Sequence, residues 1–392
     1  MRRQALVLGA GSYVLGDSWG SGVVLPTLLD EQRKGALDDL HLVVRSPRDA
    51  RFQARLDELG RTLGLERPTA EGVTECVLPL DETVEGLDEL PLDEAVAFVS
   101  VPDAHHARLV GALLERGVPT WVVKPLCGTA RESAPLVARA AELDVPLWVD
   151  YHKRFDVSNR KLRGLVQEGT FGGLDFLGVQ YSQPWNLPLE ALATWSREVD
   201  VFQYIGCHYV DLVFYLCPTA QPLRVSATGV GRGLAARGGP RYDRIHAQLD
   251  FDVDGSELRA DFLVGWNDPV GAPAKSHQRL EAGFARGRVI ADQKERGFEV
   301  WSDERFDHVN PYFFQVLPDP VTARPSVEGY GPESLRSFLR LHDDREARAS
   351  DSLPWARQAL RTDHVLDLVR ISVENGGAWV DASSVPAPQE RL

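Results

Sequence analysis

Lysine, methionine and cysteine are scarce in this chain of 392 residues, which has only six lysines, one methionine and four cysteines. The cysteines lack the Cys-x-x-Cys spacing of zinc knuckles and redox motifs. Isolated cysteines are typical of reduced thiols in the cytoplasm and exclude a small disulfide-stapled domain. His105 and His106 are adjacent, so a helix would point them to different faces and no metal pair is expected.

Long apolar runs are also missing. No run approaches the roughly 18 residues that a membrane-spanning helix needs. After Met1-Arg2-Arg3, only a short apolar stretch precedes Gly9, which is too little for a signal peptide. We therefore expect a cytoplasmic protein without a membrane role. The formal net charge of −14 disfavours binding to nucleic acids or anionic lipids, although acidic charge also simply aids solubility.

The length exceeds what one hydrophobic core usually supports, which predicts two domains. In the first third, short apolar runs alternate with helical patterns, such as those at 105–116 and 131–143. This alternation predicts an α/β fold with a Rossmann-type, doubly wound parallel sheet. We assign residues 1–125 to this dinucleotide-binding domain. The predicted strands are Ala5–Leu8, Leu40–Val44, Ala95–Val99 and Thr120–Val123, with Leu147–Val149 as a further one.

The pattern changes after about Asp150. A helix predicted near 158–167 precedes alternating runs that are separated by Gly, Pro and Asp turns. These runs predict a C-terminal α+β domain, residues 126–392, with a largely antiparallel open sheet that binds substrate. A helical pattern at 359–373 can pack back on the first domain. The predicted strands are Asp175–Ser182, Leu223–Gly229, Ile245–Phe251, Leu258–Gly265, Leu280–Phe284 and Phe298–Trp301.

Glycines follow the first predicted strand. Gly9, Gly11 and Ser12 stand where a dinucleotide site needs a sharp turn and a close approach of pyrophosphate to the backbone. The usual third glycine is displaced, and Gly20 and Gly22 precede the helix proper, so the loop is lengthened. The alternative is a glycine turn in an unrelated α/β protein.

The second strand ends in Arg45-Ser46 rather than in an acidic residue. An acidic residue there would bind an unphosphorylated ribose, whereas arginine and a hydroxyl suit a 2′-phosphate. We therefore favour NADP(H) over NAD(H). The alternative is a solvated arginine at a strand end.

Several motifs follow in a defined order. Pro102 and His106 follow the third strand, and Lys124-Pro125 follows the fourth. Together with later segments, they make the chain similar to the Gfo/Idh/MocA family of NAD(P)-dependent oxidoreductases, which includes glucose-fructose oxidoreductase and inositol dehydrogenase. The sequence departs from the family pattern at Val123, where glutamate is usual, and at Tyr204, where aspartate is usual. The later matching segments are Tyr151–Phe155, Glu168–Gly172 and Gly206–Asp211.

The resemblance implies a set of site residues. Lys124 and His208 would hold the substrate oxygen, since a base must take its proton and an ammonium group stabilises negative charge there. Tyr204 would assist in place of the aspartate, and Asp211 lies one helical turn from His208. Satisfied core residues are the alternative for His208 and Asp211. The implied cofactor contacts add Pro102, His106, Lys124 and Pro125. Lys153 and Arg154 follow the strand that crosses between the domains, so they, Tyr151, His152 and Asp211 are candidate substrate contacts. A solvated junction is the alternative for the residues at 151–154.

The resulting prediction is an enzyme that moves a hydride between a nicotinamide and a hydroxyl or ketone of a sugar, nucleotide sugar or cyclitol. By resemblance, its C-terminal sheet would mediate a homo-oligomer. Two alternatives stay open: a non-catalytic NADP(H)-binding regulator, and an imine or enone reductase in which Tyr204 donates the proton.

Overall fold

The computed structural model describes residues 4–17, 20–44, 50–65, 73–77, 83–304 and 306–385. Arg45 and Ser46, on which the preference for NADP(H) depends, lie outside the described residues. No helix in the described ranges combines the length and apolar character that a membrane crossing needs.

The first sheet has six strands, all parallel, in the order β3-β2-β1-β4-β5-β6. This order places the first strand centrally and reverses the direction of winding beside it, as in a Rossmann-type fold. The predicted doubly wound sheet is confirmed. Its strands are β1 (Gln4–Leu8), β2 (Asp39–Val44), β3 (Val73–Val77), β4 (Ala95–Val99), β5 (Thr120–Val122) and β6 (Leu147–Val149).

Helices cover both faces of this sheet because successive strand residues point to opposite sides. Leu6 and Val99 join a core with the helices that follow β4 and β5, whereas Val7 and Phe98 join a second core on the other face. The helices of this part are α1 (Ser12–Leu15), α2 (Val24–Arg33), α3 (Ala50–Leu63), α4 (Thr83–Gly86), α5 (His106–Glu115) and α6 (Ala130–Glu142), with 3₁₀ turns at Leu87–Glu89 and Asp103–His105.

The second sheet has seven strands in the order β12-β11-β7-β10-β9-β8-β13. All neighbours are antiparallel except β7 and β10, so the predicted largely antiparallel sheet is confirmed. The strands are β7 (Leu174–Pro184), β8 (Gln221–Val230), β9 (Arg244–Val253), β10 (Ser256–Asp268), β11 (His277–Phe284), β12 (Gly287–Asp292) and β13 (Val380–Asp381).

Helices and short ribbons complete this part. A π-helical turn, Phe202–Gly206, leads directly into an α-helix. The helices are α7 (Val157–Gln167), α8 (Cys207–Leu216), α9 (Tyr330–Leu341), α10 (Arg345–Ala349) and α11 (Ala356–Glu374). The 3₁₀ turns are His152–Phe155, Leu187–Leu189, Ala235–Arg237 and Ala382–Ser384, and the two-stranded ribbons pair Gly16–Asp17 with Gly20–Ser21, Glu299–Trp301 with Phe306–His308, and Gln315–Pro318 with Pro325–Glu328.

The end of the chain returns to the parallel sheet. The backbone N–H of Val149 in β6 donates to the Pro354 carbonyl (2.9 Å), and the Trp148 and Trp355 rings meet edge to face with centroids 4.8 Å apart. A second link to this part of the chain comes from α9, where the Arg336 guanidinium pairs with the buried Asp30 carboxylate of α2 (2.8 Å). Because β6 lies at Leu147–Val149, the parallel sheet extends past residue 125. The division into domains at residue 125 stays a prediction.

Candidate active site

The glycine loop after β1 lies beside the loop after β4. Gly9 has φ of +109°, and a Cβ there would lie 2.1 Å from the Ser100 carbonyl oxygen, so only glycine fits. Gly22 is required for the same reason, since its Cβ would lie 2.4 Å from the Val14 oxygen. As the sequence predicts, the helix proper begins only after this lengthened loop, at Val24.

Gly11 faces open space: a Cβ built there would have no atom within 4 Å. Ser12, which follows it, is exposed. The loop thus offers bare backbone at the carboxyl edge of a parallel sheet, which is the place where such folds bind nucleotides. These residues fit a dinucleotide.

His106 holds two loops of the site together. Its ring is fully buried, with Nδ1 3.1 Å from the Pro125 carbonyl oxygen and Nε2 3.0 Å from the Val101 carbonyl oxygen. Burial lowers its pKa. His106 therefore holds the Lys124-Pro125 turn against the Pro102 loop. Its buried ring lies beneath the surface that these two loops form.

Lys124 projects from the carboxyl end of β5 onto Tyr204, which lies in the π-helical turn before α8. Its ammonium nitrogen lies 4.2 Å from the centre of the Tyr204 ring and donates a hydrogen bond to the Tyr204 carbonyl oxygen. Trp195 and Trp266 pack against the same ring, with centroids 5.4 and 5.7 Å from it. The predicted residues Lys124 and Tyr204 are thus brought together within an aromatic cluster.

His208 lies on the first turn of α8 and is only 4% exposed. Its Nδ1 is buried and has no hydrogen-bond partner among the residues that the structure describes. Burial, followed by His152, Lys124 and Lys153, holds its pKa well below the usual value. His208 is therefore neutral at neutral pH and can accept a proton.

Two of the predicted substrate contacts bind each other. The Arg154 guanidinium donates twice to the Asp211 carboxylate, Nε to Oδ2 at 2.8 Å and Nη2 to Oδ1 at 2.6 Å, and both side chains are buried. Arg154 also donates to the carbonyls of Asp351 and Leu353. This pair links the start of the second part of the chain to α8 and to the segment before α11.

Two further predicted substrate contacts are also interior. Lys153 donates to the amide oxygens of Gln278 and Gln293, and burial lowers its pKa to about 7. Tyr151 is fully buried, and its ring meets the His208 ring edge to face with centroids 6.2 Å apart. Both side chains are buried, and Tyr151 packs directly against the His208 ring.

Comparisons with known proteins agree with this geometry. No protein-family model matches the chain. It is 26% identical over 159 residues (39% of the chain) to inositol 2-dehydrogenase of Rhodococcus jostii (strain RHA1), and 25% identical over 197 residues (49% of the chain) to scyllo-inositol 2-dehydrogenase (NADP(+)) IolW of Bacillus subtilis (strain 168). The matched segments span 43% and 53% of these relatives, or about half of their length.

The whole fold is matched as well. A crystal structure of scyllo-inositol dehydrogenase from Lactobacillus casei, with bound NAD(H) and scyllo-inositol, covers 98% of this chain and 100% of its own, with a TM-score of 0.64 and 15% identity. At that identity the likeness shows a shared fold. The sequence relatives and the fold agree. The chain is similar in sequence to inositol dehydrogenases and shares their fold, in line with its resemblance to the Gfo/Idh/MocA family.

Sequence reasoning missed part of this candidate site. Tyr13, Asp150 and Tyr330 gather around His152, which the sequence marked only as a candidate substrate contact at the junction. Asp150 could have been found, because it directly follows β6 at the edge where the parallel strands end. No signal in the sequence pointed to Tyr13 or Tyr330. Across the described ranges, no three His, Cys, Asp or Glu side chains come together as a metal site.

Proposed function

We propose that the chain is an NAD(P)-dependent oxidoreductase that transfers a hydride between a nicotinamide and a hydroxyl or ketone of a cyclitol-like or sugar-like ring. One observation carries the proposal. Lys124, Tyr204 and the neutral His208 gather at the carboxyl edge of the parallel sheet, beside a glycine loop with open backbone. An acid–base group and a fixed positive charge are what the oxidation of a carbinol requires from a protein.

The dinucleotide would be held at this edge by Gly9, Gly11, Ser12, Pro102 and the Lys124-Pro125 turn. When bound, the nicotinamide supplies the acceptor or donor of the hydride. We favour NADP(H) on the basis of Arg45-Ser46, and the name of the Bacillus subtilis relative is consistent with that choice. The Lactobacillus casei structure contains NAD(H), which remains the alternative cofactor.

His208, Lys124 and Tyr204 have different roles at the reacting oxygen. Neutral His208 takes the hydroxyl proton during oxidation and returns it during reduction. The Lys124 ammonium group stabilises the negative charge that develops on the oxygen, and it stays in place because the Tyr204 ring and carbonyl hold it. The Tyr204 hydroxyl is the third polar contact for the substrate.

The aromatic cluster supports a ring-shaped substrate. The half-buried rings of Tyr204, which contacts Lys124, and of its neighbour Trp195 present flat apolar faces, while the buried Trp266 supports the Tyr204 ring. Such faces pack against the C–H faces of sugars and cyclitols while polar groups bind the hydroxyls. The relatives named inositol dehydrogenases act on substrates of this shape.

The open face of the second sheet is the surface that we assign to contacts between copies of the chain. This face forms a shallow depression of about 660 Å³ lined by side chains of five strands, among them Gln180, Thr228, His246, Asp261 and Arg279. We propose that this open face joins copies of the chain in a homo-oligomer. Light scattering after size-exclusion chromatography tests this, and a monomer at micromolar concentration would contradict it.

The function is tested first by fluorescence titration of the full chain with NADPH and NADH, followed by oxidation assays with a panel of inositols and sugars. We expect NADPH to bind more tightly than NADH and at least one cyclitol to be oxidised. Gly11→Val should abolish binding by filling the open space, whereas Gly173→Val, at another glycine with no atom within 4 Å of the added Cβ, should not.

Three other outcomes of these assays would change the proposed function. Binding of neither dinucleotide would overturn the proposal. Binding without hydride transfer to any alcohol or ketone would favour a regulator. Reduction of cyclic imines alone would favour the reductase in which Tyr204 donates the proton.

A further inference from the structure

Three residues outside the Lys124–Tyr204–His208 group form a connected set. The Tyr13 hydroxyl donates to Oδ2 of Asp150 (2.7 Å), and Nδ1 of His152 lies 3.2 Å from both that oxygen and the Tyr13 hydroxyl. Tyr13 comes from the glycine loop, and the other two follow β6. We call this set the Tyr13–Asp150–His152 relay.

Burial fixes where the protons of the relay lie. Asp150 is 1% exposed and His152 is 8% exposed. Burial and Asp150 raise the pKa of Tyr13 well above its usual value, so its hydroxyl stays protonated and donates. A carboxylate only accepts hydrogen bonds. Nδ1 of His152 therefore carries a hydrogen that points to Asp150, and Nε2 is left as an acceptor.

The His152 ring is confined against His208. The two imidazole centroids are 4.6 Å apart, while Phe313 and Tyr330 pack on the His152 ring at 5.3 and 5.7 Å. A positive charge on one imidazole would repel a positive charge on the other at this separation. The charge state and orientation of His208 therefore depend on its neighbour.

We propose that the Tyr13–Asp150–His152 relay positions His208 for proton transfer and connects it to the glycine loop. The proposal rests on the proposed function. Tyr204 stands four residues before His208, so the π-helical turn supplies no carboxylate at that position. Asp150, which directly follows β6, provides a carboxylate and acts through the His152 ring. During oxidation the hydride leaves with its electron pair for the nicotinamide and the hydroxyl proton goes to His208; the relay transfers no atom.

The first test does not need a substrate. Long-range ¹⁵N–¹H spectra of the full chain with ¹⁵N-labelled histidine report which ring nitrogen carries the hydrogen, and His152→Gln and His208→Gln assign the signals. We expect His152 to carry it on Nδ1, and we expect Asp150→Asn and Tyr13→Phe to shift the signals of both histidines. A hydrogen on Nε2 of His152, or spectra of both variants that match wild type, would overturn the relay.

The second test uses kinetics with an active cyclitol. We expect Tyr13→Phe to lower kcat by about tenfold and Asp150→Asn by about 100-fold, each with a changed pH profile of kcat, because a misoriented imidazole transfers protons poorly. The Kd for NADPH should stay within about twofold, since the backbone of the glycine loop is unaltered. Tyr312→Phe, which removes a hydroxyl from a 45% exposed tyrosine outside the relay, should behave as wild type.

The two tests separate failure of the relay from failure of the proposed function. If wild type binds no dinucleotide, the proposed function fails and the spectra still decide on the relay. If wild type is active and both variants keep its kcat and pH profile, the relay is wrong and the function stands.

Discussion

The Lys124 ammonium nitrogen lies 4.2 Å from the centre of the Tyr204 ring and donates to the carbonyl oxygen of the same residue. One tyrosine thus fixes the lysine through its ring and its backbone carbonyl. Because the ring and the hydroxyl have separate tasks, substitutions at residue 204 can distinguish them.

Tyr204→Phe keeps the ring and the carbonyl but removes the hydroxyl, whereas Tyr204→Leu removes the ring as well. Loss of the cation–π contact is worth about 0.5–2 kcal/mol, so Tyr204→Leu should lower kcat/KM about 2- to 30-fold beyond the effect of Tyr204→Phe. Steady-state kinetics of cyclitol oxidation measure both. Equal values for the two variants would mean that the ring does not hold Lys124.

Lys124→Met should lower kcat by about 10²- to 10³-fold, because it removes a fixed positive charge at the reacting oxygen. Dinucleotide binding should persist, since the glycine loop is untouched. Lys161→Met, at an exposed lysine of α7, is the matched control and should retain full activity. Full turnover by Lys124→Met would remove this lysine from the mechanism.

The lowered pKa of His208 predicts that the kcat for oxidation is maintained at mildly acidic pH. Burial and the neighbouring His152 hold its pKa well below the ordinary value, so its neutral, proton-accepting form persists as the pH falls. The kcat for oxidation should therefore stay level through about pH 6.5, where an unperturbed histidine would be half protonated. A pH profile of kcat measures this, and a fall centred at or above that pH would contradict the burial of His208.

The same lowered pKa predicts a stability change. The unfolded chain binds a proton at His208 near about pH 6.5, whereas the folded chain resists it. The free energy of unfolding should therefore fall as the pH drops below that value, and part of the fall should disappear in His208→Gln. Urea denaturation at a series of pH values tests this. An identical pH dependence in both proteins would show that the buried imidazole titrates normally.

The Arg154–Asp211 pair predicts a stability effect. Asp211→Asn should lower the free energy of unfolding by about 3–5 kcal/mol, because it leaves a buried guanidinium without its counter-ion. Glu115→Gln, which breaks an exposed pair with Arg139, should change stability little. Chemical denaturation measures both. If Asp211→Asn kept its stability and instead raised KM, a substrate contact would be the correct role.

Much of the fold follows from the sequence because apolar periodicity determines it. The runs at Ala95–Val99 and Leu147–Val149 form strands with the predicted bounds, because each is buried on both faces. Val73–Val77 escaped prediction, since Thr74 and Glu75 interrupt its apolar pattern. α9 escaped as well, because Gly331 and Pro332 open it without a helix-like beginning.

The sequence predicts the parts of the site where a motif stands at a fixed place beside a strand. Gly9 and Lys124-Pro125 occur at fixed distances from strands, so their place at one edge of the sheet follows from topology. Tyr13 and Tyr330 are far apart in the chain, and nothing local shows that both rings pack on His152. The ion pair of Arg154 with Asp211 is equally non-local, so the sequence could not show that these two candidate substrate contacts bind each other.

The return of the chain to β6 has a consequence for synthesis. Trp148 is covered by Trp355 and Phe338, and the Val149 N–H is satisfied by Pro354, all of which leave the ribosome after nearly the entire second sheet. Until then the nascent parallel-sheet part exposes a tryptophan and an open sheet edge, a hazard for aggregation. Folding of the parallel sheet is therefore completed by residues that are synthesised after most of the second sheet.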